Sequence, residues 1–258
     1  MARVHSTAIV EAGARLAHDV EVGPYVVIGP EVELCEGVEV GAHVAVIGRT
    51  RIDRGTRIHP FACIGGEPQD KSFAGESTRL HIGADNVILE HATIHVGTPQ
   101  GGGCTRIGDD NLIMNSAHIA HDCQIGSHCI IASFSGLAGH VTVGDHAVLG
   151  AYTGVHQFSR VGESVMAASN AKLSRDAPPF SLVAGDRARL VGLNSIGLRR
   201  RELSNQTIRA LKHAFHILFH SRLLLEPALA RAREEVGDSP EVQRLISFLE
   251  KSERGFCR

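Results

Sequence analysis

The chain has no tryptophan and only two tyrosines, and aromatics make up 4% of its residues. A core without large rings must be filled by small and branched aliphatic side chains, which suits a repetitive backbone. The six cysteines, Cys35, Cys63, Cys104, Cys123, Cys129 and Cys257, include no CxxC pair. Neither a zinc framework nor a disulfide scaffold is expected, and Cys35, Cys123 and Cys129 occupy slots that call for a small apolar side chain. No apolar run reaches about 18 residues, so no membrane span is expected. The opening MARVHSTAIVEAG lacks the apolar stretch of a signal peptide, which points to a cytoplasmic protein. A formal net charge of −2 supplies no global basic field for nucleic acid.

Rhythm is what the sequence does have. Aliphatic residues fall at every sixth position through Val10, Leu16, Val22, Ile28, Leu34, Val40, Val46, Ile52, Ile58 and Ile64. A helix would repeat near 3.6 and an amphipathic strand at 2. A period of six is the hexapeptide signature of a parallel β-helix, three short strands to a coil of about 18 residues. The phase pauses near residues 66–81 and again near 96–106. It then resumes through Ile107, Ile113, Ile119, Ile125, Ile131, Leu137, Val143, Leu149, Val155 and Val161. Residues 1–177 are therefore expected to form nine or ten coils with two excursions, and long excursions from a rigid scaffold tend to carry function. Beyond Pro178-Pro179, Ile208, Leu211, Phe215 and Leu218 follow helical spacing after Ser204, and Ser239-Pro240 opens a last helix. Residues 178–258 are expected to be a small helical domain.

Stacking arithmetic brings distant residues together. Residues one coil apart share a column, so His121 stands over Gly139 and Gln157, and His118 heads a column through Gly136 and Gly154. His140 and His156 fall in adjacent columns. Any single histidine among 16 is usually a solvated bystander, but this cluster comes from separate repeats and meets only through the fold. A convergent polar patch beside positions without a Cβ is what a small-molecule site requires.

The chemistry that fits is general-base catalysis. His121 would take the proton from an attacking hydroxyl, the Gly139 N–H would meet the developing oxyanion, and Asp122 would orient an imidazole. His118 and Gln157 would position the substrate. Zinc is the competing reading, as in γ-class carbonic anhydrases. It is disfavoured because His118 and His121, three apart in extended chain, face opposite ways unless a corner intervenes. No metal and no cofactor are expected.

The segments NSAHIAHDC (115–123), LAGHVTVGD (137–145), GVHQF (154–158), GEPQD (66–70), PQGGG (99–103) and LRRRELS (198–204) resemble the UDP-N-acetylglucosamine O-acyltransferases of lipid A synthesis, over essentially the full length. The resemblance implies a mainly β protein, a left-handed parallel β-helix with a small α-helical C-terminal domain. It also implies a homotrimer with sites between subunits. The implied reaction moves an (R)-3-hydroxyacyl group from acyl carrier protein to the 3-hydroxyl of UDP-N-acetylglucosamine. By matching positions, His121 is the base and Gly139 the oxyanion donor, while Asp70, His118, His140 and Gln157 contact substrate. His156 and Asn194 line the nucleotide and acyl region, and Arg200 and Arg201 meet phosphates or the acidic carrier.

Three positions depart from the family pattern. QDKSF places Lys71 one position early and Ser72 where the family has lysine. Val96 stands where an arginine is common. Ser169 replaces the glycine or bulky residue that sets acyl length, and suggests an intermediate or shortened groove. The alternatives are a paralogue acting on a 3-amino sugar nucleotide, the N-acyltransferase of the same pathway, a coenzyme A-dependent acetyltransferase, the zinc enzyme, and a scaffold without activity. The N-acyltransferase would need a separate N-terminal domain, for which hexads starting at Val10 leave no room. PQGGG and LRRRE disfavour the coenzyme A enzyme, and a scaffold has no need of converging histidines.

Overall fold

A computed structural model describes the whole chain, Met1–Arg258. The hexads fold into a left-handed parallel β-helix whose strands, mostly two residues long, stack into three sheets of 11, 9 and 8 strands. The first sheet begins with Arg3–Val4, the second with Ile9–Val10 and the third with Arg15–Leu16. Successive strands of the chain visit the three sheets in turn, so hydrogen-bonded neighbours come from adjacent coils. The hexad aliphatics point inward. Ile28, Ile64, Ile88, Ile113, Ile119 and Ile131 are fully buried in one continuous core. Burying each such side chain stabilises by about 1.5–3 kcal/mol, which is why the phase is kept so strictly.

Most corners turn through a residue in the left-handed region, usually not glycine: His43, Phe61, Asp122, His128 and His140 all have φ between 58° and 66°. That backbone is costly for a residue with a Cβ. Ring stacking from coil to coil offsets part of the cost, as in the ladder Tyr25–His43–Phe61–His91, whose ring centroids lie 4.9, 5.0 and 5.2 Å apart.

Two stretches leave the coils, at residues 67–78 and 96–103. The first lies between strands Cys63–Gly66 and Arg79–Ile82, because backbone pairing of Arg79–Ile82 with Arg49–Ile52 and Cys104–Ile107 extends the strand ahead of the hexad. The second leaves after Thr93–His95, makes one 3-10 turn at Pro99–Gly101, and rejoins at Cys104–Ile107. Val96 turns inward and is buried beside Gly48, so this position joins the core rather than the surface.

Pro178-Pro179 interrupt the hexads without ending the sheet. Ser181–Ala184 still pairs parallel with Met166–Ala167, and Arg189–Leu193 returns antiparallel. The helices therefore begin at Ser195, later than the expected boundary at residue 178, because the first sheet still offers an unpaired edge. They are α1 (Ser195–Arg200), α2 (Asn205–Phe215), α3 (Leu225–Val236) and α4 (Pro240–Glu250). Ser204 caps α2 by accepting the Thr207 N–H. Ile208, Leu211, Leu229, Val242, Leu245 and Ile246 close a second core against Phe180. No helix is long and apolar enough to cross a membrane.

Candidate active site

The His118 column forms as stacking requires. His118 pairs with Gly136, Gly136 with Gly154, and Gly154 with Lys172 across the second sheet. The two glycines leave a trough outside the sheet, and it deepens into an open cavity of about 890 Å³. Its lining runs from His118 and His121 in one coil, through Gly136 and Gly139 in the next, to Gly154, His156 and Gln157 and then Lys172, with Asp70, Lys71 and Arg187 also on the wall.

His121 sits at the corner between the second and third sheets, followed by Asp122 with φ of 61°. That left-handed step turns the Asp122 carboxylate back on its neighbour, so the His121 Nδ1–H donates to Asp122 Oδ2 at 2.8 Å. The carboxylate is itself held from outside the hexads. Thr98 donates its N–H to Oδ1 at 2.8 Å and its hydroxyl to Oδ2 at 2.6 Å. The Asp122 N–H donates to Thr105 Oγ1 at 2.8 Å. Gly101 packs on the carboxylate with no room for a Cβ. The second excursion is thus a brace for Asp122. With Nδ1 committed as donor, the Nε2 lone pair is left free for chemistry.

The ring of His121 lies over Gly139, where an added Cβ would come within 2.5 Å of Cε1 and 2.7 Å of Nε2. The Gly139 N–H has no acceptor in the chain, as at the matching turn position of other coils, but here it borders the cavity. His140 stands edge-on to His121 at 5.1 Å and stacks on Phe158 at 4.4 Å. Burial, offset in part by the nearby Asp122 charge, keeps its imidazole below the usual range. His118 is likewise held low, by burial and then by His95, and its Nδ1 lies 2.8 Å from the Thr93 hydroxyl. Ser72 donates its N–H and its hydroxyl to Asp70, both at 2.9 Å, which holds that half-buried residue's carboxyl below the usual range. The serine at the family's lysine position thus shapes a turn, while Lys71 lines the cavity.

His121, Asp122 and His140 are the one group whose donor atoms lie close enough, within 4.8 Å, to suggest a metal. Both carboxylate oxygens of Asp122 are already filled by Thr98 and His121, so the arrangement reads as a hydrogen-bonded relay.

Asp122 and His140 stand against His121 without lining this cavity, and four other anticipated residues lie away from it. Asn194 caps α1 by accepting the Gly197 N–H and donates Nδ2 to Ser164 O, both at 3.0 Å. Arg201 pairs with Glu163 at 3.1 Å and bonds Ser164. Arg200 and Ser169 are exposed, and none of the four lines the groove of a single chain. They belong to other edges of the prism. Conversely, Lys172 and Arg187 line the groove and Thr98 and Thr105 hold its carboxylate, all unanticipated. Lys172 could have been found by taking the His118 column one step further. The other three hang on loop courses and backbone turns that hexad counting does not fix.

Comparisons with known proteins agree along the whole chain. A family model described as "Udp N-acetylglucosamine O-acyltransferase; Domain 2" matches residues 176–257, and one for six-repeat bacterial transferase hexapeptides matches residues 104–139. An acyl-[acyl-carrier-protein]–UDP-N-acetylglucosamine O-acyltransferase from Herminiimonas arsenicoxydans is 47% identical over the full length of both chains. Its counterpart from Thermodesulfovibrio yellowstonii is 43% identical, again over both full lengths. Among solved structures, the UDP-N-acetylglucosamine O-acyltransferase of Moraxella catarrhalis matches with a TM-score of 0.96, at 38% identity over 99% of each chain. The Arabidopsis UDP-N-acetylglucosamine acyltransferase matches with 0.87, at 32% identity over 99% of this chain and 100% of that one.

Proposed function

The chain belongs to the acyl-[acyl-carrier-protein]–UDP-N-acetylglucosamine O-acyltransferase family, and from that premise we propose that His121 is the general base of the transfer. The observation that carries this reading is the brace on Asp122, which fixes the imidazole tautomer with Nε2 as acceptor. Nε2 takes the proton of the sugar 3-hydroxyl as that oxygen attacks the thioester carbonyl carbon. The Gly139 N–H stabilises the oxyanion. When the carbon–sulfur bond breaks, the imidazolium returns the proton to the departing thiolate, leaving an (R)-3-hydroxyacyl ester and free carrier thiol. Asp70, Lys71, His118, His140, His156 and Gln157 position the two substrates along the groove. Ser169 contributes to the acyl-chain limit. The step belongs to lipid A synthesis, in the cytoplasm. A reducing compartment suits six free cysteines, of which Cys123 and Cys129 are pushed by burial up to about 12.

The working form is a homotrimer. The outer face of the first sheet carries an apolar stripe, Val87, Leu112, Ile130, Val148, Met166 and Leu182, in one continuous register. Beside it Phe61, Phe134 and Tyr152 are about half exposed at the corner with the second sheet. Such a surface calls for a protein partner. A neighbouring copy seated there brings its Asn194, Arg200, Arg201 and Ser169 region toward the open groove.

The test is acyl transfer from a panel of (R)-3-hydroxyacyl carrier proteins to UDP-N-acetylglucosamine, with light scattering to count subunits. Wild-type transfer that disappears in His121→Ala supports the reading, and the preferred chain length reports on Ser169. A folded trimer that transfers no chain length to the 3-hydroxyl sugar overturns it, and the 3-amino sugar is then the acceptor to try.

A further inference from the structure

Outside the groove, charge is distributed unevenly over the outer face of the third sheet. Strands Arg49–Ile52, Arg79–Ile82 and Cys104–Ile107 pair in register, so Arg49 lies beside Arg79, and Arg51, His81 and Arg106 form the next row. Part of this charge is internally balanced. Arg15 and Arg51 bond Glu33, Arg51 also bonds Asp53 at 2.8 Å, and His81 Nε2 lies 2.8 Å from Asp53 Oδ2. Arg49, Arg79 and Arg106 have no carboxylate partner, are exposed, and rim a cavity of about 510 Å³. Glu31 is the one unpaired carboxylate on that rim. The register sets the backbones of Arg49 and Arg79 about 4.8 Å apart, with Arg106 one strand further and one row along, so like charge is concentrated on a rigid sheet face. In a chain of net charge −2, this face gains from an anionic partner.

Its position indicates which partner. Arg106 follows directly on the excursion whose Thr98 and Gly101 brace Asp122. The next residue in its row, Gln124, donates Nε2 to Cys104 O at 2.8 Å. The arginine face is thus one corner of the prism away from His121. By contrast, Arg201 in the helical region spends its charge on Glu163.

We propose that the Arg49–Arg79–Arg106 face docks an acidic surface of the carrier protein, so that the thioester arm reaches around the corner to His121. This rests on the acyl-carrier reading above. Three unpaired guanidinium forks on a fixed backbone suit a run of carboxylates better than a single small anion does.

The experiment compares two donors bearing the same acyl group, the intact carrier protein and free pantetheine, on wild type and on the double variant Arg49→Glu/Arg79→Glu. The KM for carrier protein is expected to rise about tenfold and its salt dependence to flatten, since exposed complementary charge acts mainly on encounter. The kcat, the KM for UDP-N-acetylglucosamine and turnover of the pantetheine thioester should stay unchanged. Arg49→Lys/Arg79→Lys should keep most of the carrier affinity. An unchanged carrier KM at low salt overturns the proposal, as does an equal loss with both donors. A variant that no longer assembles, by light scattering, assigns the face to contacts between copies instead. If wild type turns over neither donor, the catalytic reading falls. Titration of labelled carrier protein then decides docking alone, and wild-type binding no tighter than that of the double variant overturns it.

Discussion

Two imidazole–carboxylate pairs on this prism share one geometry. His121 Nδ1 lies 2.8 Å from Asp122 Oδ2, and His128 Nδ1 lies 2.8 Å from Asp110 Oδ2. Each histidine also faces a second one a coil away, His140 at 5.1 Å and His146 at 4.7 Å. What separates them is their surroundings. The side chains of His121 and Asp122 are 7% and 1% exposed, against 49% and 67% for His128 and Asp110. The Asp122 carboxylate accepts two bonds from Thr98 besides that of His121, whereas Asp110 accepts only from His128. A hydrogen bond in water constrains an imidazole weakly, because water competes for both partners. The same bond in a braced, buried corner fixes ring and tautomer. Stacked histidines and an aspartate therefore do not make a site, and the brace is what distinguishes this one.

The contrast is sharpest under truncation. His121→Ala should lower kcat by roughly 10²–10⁴-fold, the usual worth of a positioned base, while His128→Ala leaves kcat within about twofold. A large loss in both would mean that the exposed pair matters for assembly, which light scattering on the same samples would reveal. Next comes the orienting carboxylate. Asp122→Asn should cost roughly 10²–10⁴-fold in kcat with little change in KM, because an amide permits the wrong tautomer, and Asp110→Asn should be near neutral. A smaller effect is expected at the ring's floor. The alanine methyl of Gly139→Ala would push against Cε1 and Nε2 of His121, displacing the ring and lowering kcat roughly 10–100-fold while the thermal midpoint stays close to wild type.

The smallest effect is on stability against pH. Burial, and then His95, depress the His118 imidazole, so between its folded value and about 6.5 the unfolded chain binds more protons than the folded one. The stability tied to its neutral form is present above about 6.5 and is lost as pH falls below that. His118→Gln should shrink the drop in thermal midpoint between about pH 7 and pH 5 by about 2 °C. A variant whose pH profile overlays the wild type's would show that some other group sets that limb, with His140, depressed in the same sense, the next to test.

Much of this molecule was legible as arithmetic. The strict sixth-position aliphatics require coils, because a β-helix interior admits only one inward residue per short strand, and Ile28, Ile64, Ile113 and Ile131 are buried as that demands. The same counting placed His118 over Gly136 and Gly154, and His121 over Gly139, since parallel in-register stacking turns sequence separation into position. The excursions escape that rule. Nothing in the hexads says that Thr98 and Thr105 grip Asp122, that Val96 turns inward, or that Arg187 reaches the groove, because those loops take their course from contacts that exist only once the coils are stacked. Stacking arithmetic pointed to His121, but it does not give the 7% exposure of that side chain against 49% for His128. Burial is a property of the assembled corner, and the tertiary structure alone decided which imidazole is enclosed and braced.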